Sequence, residues 1–306
     1  MKKICVLGSI NIDLVTKTSA FPKAGQTVGG YEFHTFPGGK GANQAVASGR
    51  LGADVTFLGK VGSDTFGEMA LKSLRDANVD VSYIKKEEIS TGIASITVNS
   101  QGENTIIVVP GANGLVDVDY VNRNKKAIDD ADILMLQLEI PMETVEWAAD
   151  YAAKAGKLVI LDPAPAVTLP EHLLKCSSIV TPNETELAIV SKMEVSDENG
   201  AIEAAGALLK QGVGTVVHKS GGKGAYLITD KEAELVPGFT VSVVDTTAAG
   251  DSFNAGLAVS LAKGNDLKES IRYANAVGAM AVTKMGAQSA MPTEAELKAF
   301  MENTPS

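Results

Sequence analysis

The stretch DTTAAGDSFNAG, residues 245–256, brings two kinds of chemistry to one turn. Small residues run there into a helical pattern. The first amides of a helix lack intrahelical acceptors and lie at the positive end of its dipole. Such a mouth attracts anions. Thr246, Thr247, Ala248, Ala249 and Gly250 are small enough to let a ligand reach the backbone, so the amides of residues 248–251 form a candidate anion hole. Asp251 adds a carboxylate at the same place. One reading makes it a helix cap. The other has it face an attacking hydroxyl while the amides hold a transferring phosphoryl group. An aspartate with a reference pKa of about 3.9 cannot strip an alcohol's proton in advance. Phosphoryl transfer has a loose transition state, so the base chiefly orients the nucleophile. The amides would then stabilise charge, and the acid would aim the hydroxyl at them.

Other polar residues collect at matching points. Asn11 and Asp13 follow KICVLGSI, Glu139 follows ADILMLQL, and Asp162 follows KLVIL. Asn183, Glu184 and Glu186 follow SSIVTP; Gly221, Gly222 and Lys223 follow TVVHKS; Asp251 follows VSVVDTT, read as one more strand. Ligands of an open parallel sheet bind beyond the carboxyl ends of its strands. The agreement predicts one site there, although each residue alone fits a loop or a cap. The common signatures are missing. No G-x-x-x-x-G-K-[ST] occurs, and neither GGKGANQ (38–44) nor GGKGAY (221–226) has the third glycine of a dinucleotide fingerprint. H-E-x-x-H and C-x-x-C are absent as well. His34, His172 and His218 are read as core or surface residues that match no serine or cysteine pattern. Cys5 and Cys176 are read as forming neither a metal cluster nor a disulfide framework.

The elements that must hold these residues follow from periodicity. Apolar runs without polar alternation, such as ADILMLQL, KLVILDPA and TVVHKSG, suit strands covered on both faces. ADVTFLGKVG is read as a single strand. Between the runs lie helical windows: GANQAVASGRLG, TFGEMALKSLRDANV with Thr65 or Ser63 near its cap, METVEWAADYAAKAG and NGAIEAAGALLKQG. This rhythm predicts an α/β fold with a mostly parallel central sheet and helices on both faces. Residues 14–36 and 92–110 break it. They predict a small antiparallel sheet, with a turn at Gln101-Gly102-Glu103. The expectation is one domain over residues 1–306, that sheet standing off it as a lid, with a frayed NTPS tail. The net charge of −10 argues against a nucleic-acid or anionic-membrane surface. The opening run is broken by Gly8, Ser9, Asn11 and Asp13 and is read as a strand, not a leader; no 18-residue apolar run exists, and the expected compartment is the cytoplasm.

Five motifs then stand in order: GSINIDLV (8–15), PGGKGANQAVA (37–47), TPNETE (181–186), DTTAAGDSFNAG (245–256) and VTKMGAQ (282–288). On these the chain resembles the ribokinase-like (PfkB) family of sugar and nucleoside kinases, over essentially its whole length. The resemblance implies transfer of the γ-phosphate of ATP to the O5 hydroxyl of D-ribose, with Asp251 as base. It implies that Asn11, Asp13, Gly39, Lys40, Gly41, Asn43 and Glu139 hold the sugar. Asn183 would contact nucleotide phosphates, and Glu186 the water shell of Mg²⁺; Asn183 can equally cap a helix that carries Glu186. Lys219, Ser220, Gly221, Gly222, Lys223 and Gly224 fall in the family's nucleotide loop, Gly250 beside it, and Asn275 on the adenine side. Asp245 and Thr247, with carbonyls around Ala281, Lys284 and Gly286, match a monovalent cation site, usually K⁺. The β pieces match a lid that covers the sugar and commonly joins a homodimer. Three positions depart from the pattern. Ala248 replaces a common glycine, Ala290 stands for a cation-contacting serine, and Lys219-Ser220 replaces Thr-Leu.

Rival readings differ in class. A kinase of the same fold acting on 2-deoxyribose, fructose or a nucleoside differs at the acceptor, where Asp13 is a candidate discriminator. A non-catalytic sugar-binding regulator would not need Asp251, Asn183 and Glu186 together. An NAD-dependent dehydrogenase would need the missing glycine fingerprint.

Overall fold

The computed structural model describes residues 1–304. Its centre is a nine-stranded sheet. Five parallel strands form its middle: β1 (Ile4–Leu7), β10 (Ile133–Leu136), β11 (Leu158–Leu161), β12 (Ile179–Val180) and β13 (Thr215–Lys219). Beyond β1 lie β4 (Val55–Leu58) and the short β6 (Val79–Asp80), both parallel. Beyond β13 the direction reverses, with β14 (Gly224–Ile228) and β15 (Ala233–Pro237) antiparallel. The order is β15-β14-β13-β12-β11-β10-β1-β4-β6.

Alternate strand residues feed two cores. Ile4, Val6, Ile133, Met135, Ile160 and Val217 face one side. That side is covered by α1 (Lys40–Arg50), α2 (Thr65–Asp76), α9 (Ala249–Ala262), α10 (Leu267–Ala281) and α11 (Glu294–Asn303). Cys5, Leu7, Leu134, Leu136, Leu161 and Val216 face the other. There lie α3 (Val118–Arg123), α4 (Lys126–Asp129), α5 (Met142–Lys154), α6 (Glu171–Cys176), α7 (Glu184–Ser191) and α8 (Glu198–Lys210). Side chains pointing both ways into apolar layers explain why these runs are uniformly hydrophobic. Each fully buried Leu, Ile or Val contributes roughly 1.5–3 kcal/mol.

A second sheet has four strands in the order β3-β2-β8-β9, from β2 (Asn11–Thr18), β3 (Gly30–Gly38), β8 (Gly92–Val98) and β9 (Asn104–Val109). The expected pure antiparallel arrangement does not hold. β2 pairs antiparallel with β3, but parallel with β8. The reason is topological: β4, α2 and the connecting segments intervene between the two β pieces and return the chain in the same direction. Gly102, at φ +81°, turns the hairpin from β8 to β9 at the expected position.

Other readings need correction. ADVTFLGKVG is two strands: β4 in the main sheet, and β5 (Lys60–Gly62), which pairs with β7 (Lys85–Glu87). VSVVDTT forms no strand; Val244 and Asp245 instead donate their amides to the carbonyl of Val282 at 2.8 and 3.2 Å. Pro305 and Ser306 of the expected frayed tail lie outside the described residues; α11 runs to Asn303. Among the described residues, no helix is long and apolar enough to cross a membrane.

The α2 cap is Asp64, not Thr65 or Ser63. Asp64 Oδ1 accepts from the Gly67 amide at 2.7 Å and from Thr91 Oγ1 at 2.6 Å, and Oδ2 from the Thr91 amide at 2.8 Å. One carboxylate therefore starts a helix and fixes the entrance to β8. Burial pushes against its charge, but these donors win and hold its pKa below the ordinary range. Asp64→Ala is expected to cost about 1–3 kcal/mol, read as a lower urea midpoint at unchanged slope. A depressed folded pKa gives stability that is present above the unfolded pKa and lost as pH falls through the folded value. The gap between the two proteins should therefore narrow in acid.

Candidate active site

Two helix starts meet at the carboxyl ends of β1, β10 and β11. The first is α1. Gly39, at φ +89°, turns the chain from β3 into it. A Cβ there would stand 2.6 Å from the Asn11 amide nitrogen, and one at Gly41 2.7 Å from that of Ser9. Glycine thus lets α1 seat directly on the loop after β1. Lys40, Asn43 and Gln44 follow at i, i+3 and i+4 and share a face. The second start is α9, which carries Asp251 in its first turn.

Asp251 is only 6% exposed. Its Oδ2 accepts from Asn43 Nδ2 at 2.9 Å, and its Oδ1 from Gln44 Nε2 at 3.3 Å. Gln44 also donates to Asp162 Oδ2 at 3.0 Å and accepts from Gln137 Nε2 at 2.7 Å. Asn43 is held in turn by Gln288 Nε2 at 3.1 Å. Two carboxamides therefore orient one carboxylate, and two more orient them. Burial raises the Asp251 pKa to about 6; Asp162 and Glu139 add to the rise, while Lys40 and Asn43 oppose it. Asp13 is also raised to about 6, by burial first and then by Glu139 and Asp251. Burial works against the Lys40 ammonium, yet Asp251, Asp162, Glu139 and Glu186 outweigh it and hold its pKa above the ordinary lysine value.

Further polar residues from the ends of β1 and β10 surround this core. Glu139 Oε2 accepts from Ser9 Oγ at 2.6 Å and the Lys40 amide at 3.1 Å. Asn11 Oδ1 accepts from Asn113 Nδ2 at 2.8 Å, and Asn113 clamps the backbone of Ile10 on both its amide and its carbonyl.

At the mouth of α9 the backbone is strained. Ala248 sits at φ +58°, a left-handed conformation that costs a non-glycine residue about 1–2 kcal/mol. The expected four-amide hole is narrower than the sequence suggests, because the Ala249 amide donates to the Thr246 carbonyl at 3.2 Å. Gly250 and Asp251 hold the next first-turn amides. A cavity of about 330 Å³ opens here, lined by Lys40, Asp162, Asn183, Glu186, Lys219 and Asp251. A second, of about 450 Å³, is lined by Gly222, Gly224, Phe239, Val243 and Asn275. Lys219, Gly221, Thr246, Ala249 and Gly250 line both, so the two spaces join at the helix mouth.

The structure sorts the other sequence-derived residues. Asn183 caps α7 in a capping box: its Oδ1 accepts from the Glu186 amide at 2.9 Å, and Glu186 Oε2 accepts from the Asn183 amide at 2.8 Å. Burial raises the Glu186 pKa, against the pull of Lys219. The partly buried Lys219 ammonium lies 2.9 Å from Asp162 Oδ1 and 3.7 Å from Glu186 Oε2. Ser220 and Lys223 line an adjoining cleft with Glu198 and Tyr226, which shares Lys219 and Gly221 with both cavities. Asn275 donates to the carbonyls of Val236 and Pro237 at 2.9 and 3.0 Å, tying β15 to α10 at the cavity wall. Asp245 Oδ1 accepts from the Thr247 amide and hydroxyl at 2.9 and 2.6 Å, and its Oδ2 from the Gly286 amide at 2.9 Å. Burial resists its charge, but these donors hold the carboxyl ionised below the ordinary range. Ala281 ends α10 beside this loop, and the Lys284 ammonium turns away to Glu296 at 3.2 Å.

The site residues that sequence reasoning left out are Gln44, Gln137, Gln288, Asn113 and Ser9; Asp162 was seen only as a strand-end residue. Gln44 had a signal, the helical spacing from Lys40. Gln137 and Asn113 had none, because they arrive from distant segments. His172 and Cys176 match no motif in the sequence, whereas the structure places His172 Nε2 3.7 Å from Cys176 Sγ and 3.0 Å from Asp150 Oδ1.

Comparison with known proteins agrees over the full length. Residues 1–294 match the model of the pfkB family of carbohydrate kinases. The chain is 41% identical to the ribokinase of Haemophilus influenzae over 303 residues, 99% of each chain. It is 35% identical to the deoxyribokinase of Salmonella typhi over 301 residues, 97% of this chain and 98% of that one. The structure of Arabidopsis thaliana ribokinase complexed with ribose and ATP superposes with a TM-score of 0.92 at 32% identity, covering 98% of both chains.

The electrostatics of the cluster can be read without turnover. Carboxyl ¹³C NMR titration of the ligand-free protein should give apparent pKa values of about 6 for Asp13 and Asp251. Both should fall in Glu139→Gln, since Glu139 raises both. Values in the ordinary aspartate range would contradict the packing described.

Proposed function

The chain belongs to the pfkB family of carbohydrate kinases, and from that premise we propose that it transfers the γ-phosphate of ATP to the O5 hydroxyl of D-ribose, giving ribose 5-phosphate. The observation that carries the reading is the double position of Asp251. It faces the polar sugar-side cluster through Asn43 and stands at the amide mouth of α9, where the two cavities join.

Ribose lies among Asn11, Asp13, Gly39, Gly41, Asn43 and Glu139, with its O5 toward Asp251. Asn43 and Gln44 fix the carboxylate, which accepts the proton as the phosphoryl group moves. Its raised pKa suits that task, since a stronger base takes a late proton more readily. The Gly250 and Asp251 amides and the Lys40 ammonium meet the charge that develops on the phosphoryl oxygens. The glycine-rich turn at 221–224 and the wall of Phe239, Val243 and Asn275 take the nucleotide.

Two metal ions fit. Asp162, Glu186 and Asp251 place three carboxylates at the smaller cavity against two ammonium groups, Lys40 and Lys219. A triphosphate adds more negative charge, and Mg²⁺ held by Glu186 and Asp162 through water would neutralise it. K⁺ suits the ionised Asp245 with Thr247 and the loop around Ala281, Lys284 and Gly286; it would fix the segment that leads into α9. The β2-β3-β8-β9 sheet acts as a lid that excludes water. Its edge strand exposes Ile106, Ile107, Val108 and Val109, with Ile107 69% exposed. An unpaired apolar edge of this kind suits a second copy of the chain, hence a homodimer. Dependence on ATP suits the cytoplasm.

A second reading, 2-deoxyribose as acceptor, is favoured by the likeness to a deoxyribokinase. A panel of ribose, 2-deoxyribose, fructose and nucleosides with ADP readout decides between them; the highest kcat/KM on anything but ribose overturns the first reading. Asp251→Asn should lower kcat by about 10²–10⁴-fold with sugar KM changed only a few-fold. Turnover should also be higher in K⁺ than in Na⁺, and equal rates would remove the proposed cation site.

A further inference from the structure

A cluster unrelated to the kinase centre lies at the opposite end of the sheet. Asp150 is in the last turns of α5, which leads into β11, and His172 and Cys176 are on α6, which leads into β12. All three thus lie on the side where strands begin, whereas Asp251 and its partners lie where they end. We propose that Asp150, His172 and Cys176 form a binding site for a divalent transition-metal ion of the Zn²⁺ class.

The geometry supports this in three ways. His172 and Cys176 are four residues apart on one helix and so project from one face. Their donor atoms lie 3.7 Å apart, and Asp150 Oδ1 is 3.0 Å from His172 Nε2. The three donor atoms lie within 4.8 Å of one another. Tetrahedral Zn²⁺, with bonds of about 2.0–2.3 Å, sets its ligand atoms roughly 3.3–3.6 Å apart, so each donor needs to move by no more than about an ångström. The donor set of one thiolate, one imidazole and one carboxylate suits Zn²⁺ and Co²⁺ and disfavours Mg²⁺ or Ca²⁺, which prefer oxygen alone. Burial also fixes the cluster on its inner side. Cys176 is 8% exposed and belongs to the apolar layer on this face of the sheet, whereas His172 is exposed, which leaves a fourth position open to water.

One neighbour opposes the ion. Lys154 Nζ bonds Asp150 Oδ2 at 2.6 Å. That leaves Oδ1 for the metal, but keeps a positive charge close by. Binding converts the Cys176 thiol to a thiolate–metal bond and releases its proton to solvent; Nε2 of neutral His172 and the Asp150 carboxylate complete the protein ligands. The ion would clasp α5 to α6 and stabilise the fold without touching substrate.

The test uses the full-length protein, free of nucleotide and Mg²⁺, titrated with Co²⁺ and then Zn²⁺. The expected result is a near-ultraviolet thiolate-to-cobalt charge-transfer band that saturates at one Co²⁺ per chain and that Zn²⁺ abolishes. Cys176→Ser should remove the band, and Cys5→Ser, altering the other thiol, should keep it. His172→Ala and Asp150→Asn should each weaken Zn²⁺ binding at least about tenfold, since even losing a ligand's outer partner costs about 10–100-fold. Lys154→Met should tighten it. His172 is exposed, so its variant keeps the fold and isolates the ligand. A band that survives in Cys176→Ser, Zn²⁺ affinity unchanged in His172→Ala, or no uptake of either ion would overturn the proposal.

Discussion

An ionisable acid buried at the mouth of a helix is the constraint around which this protein is arranged. A carboxylate taken out of water is costly unless it is paired or hydrogen-bonded. Asp251 receives Asn43 and Gln44 from the neighbouring helix, the partial positive charge of its own helix start, and Lys40 nearby. These compensations are incomplete, which is why its pKa stays raised. They also dictate packing. α1 must lie against α9 and against the loop after β1, and the glycines at 39 and 41 permit that approach.

The surroundings of Asp251 make the ligand-free protein electrostatically unfinished. Asp13 and Glu139 crowd one side, Asp162 and Glu186 the other, with Lys40 and Lys219 as the nearby cations. Raised pKa values at Asp13 and Asp251 mean that the folded chain binds protons the unfolded chain would release, so both groups cost stability as pH rises through about 6. A site that is strained in this way gains from ligands that bring hydrogen-bond donors and cations. Sugar hydroxyls are such donors. Functional sites commonly carry such local cost, and the two apolar layers of the main sheet supply the stability that tolerates it.

Lys219 illustrates how a cation inside a polar cluster is accommodated. Its partly buried ammonium lies between two carboxylates, where the two cavities meet. A long cation could not lie there without Asp162 and Glu186 to receive it.

Much of this was legible in the chain itself. Uniform apolar runs separated by helical windows determine an α/β sheet buried on both faces, because periodicity reports which sides of an element meet water. The motifs around Gly39, Asn183 and Asp251 named the helix starts, because small residues and caps are local requirements. Tertiary structure alone decided what faces what. Gln137 reaches the site from the turn after β10 and Asn113 from a short 3₁₀ helix, neither with a signature of its own, and Gln44 meets Asp251 only because α9 packs beside α1. The parallel pairing of β2 with β8, and the reversal at β14 and β15, depend on long-range register that no local pattern encodes. His172 and Cys176 lie in plain sight four residues apart, yet Asp150 joins them only because α5 packs on α6; local sequence sets which face a side chain takes, and packing sets its company.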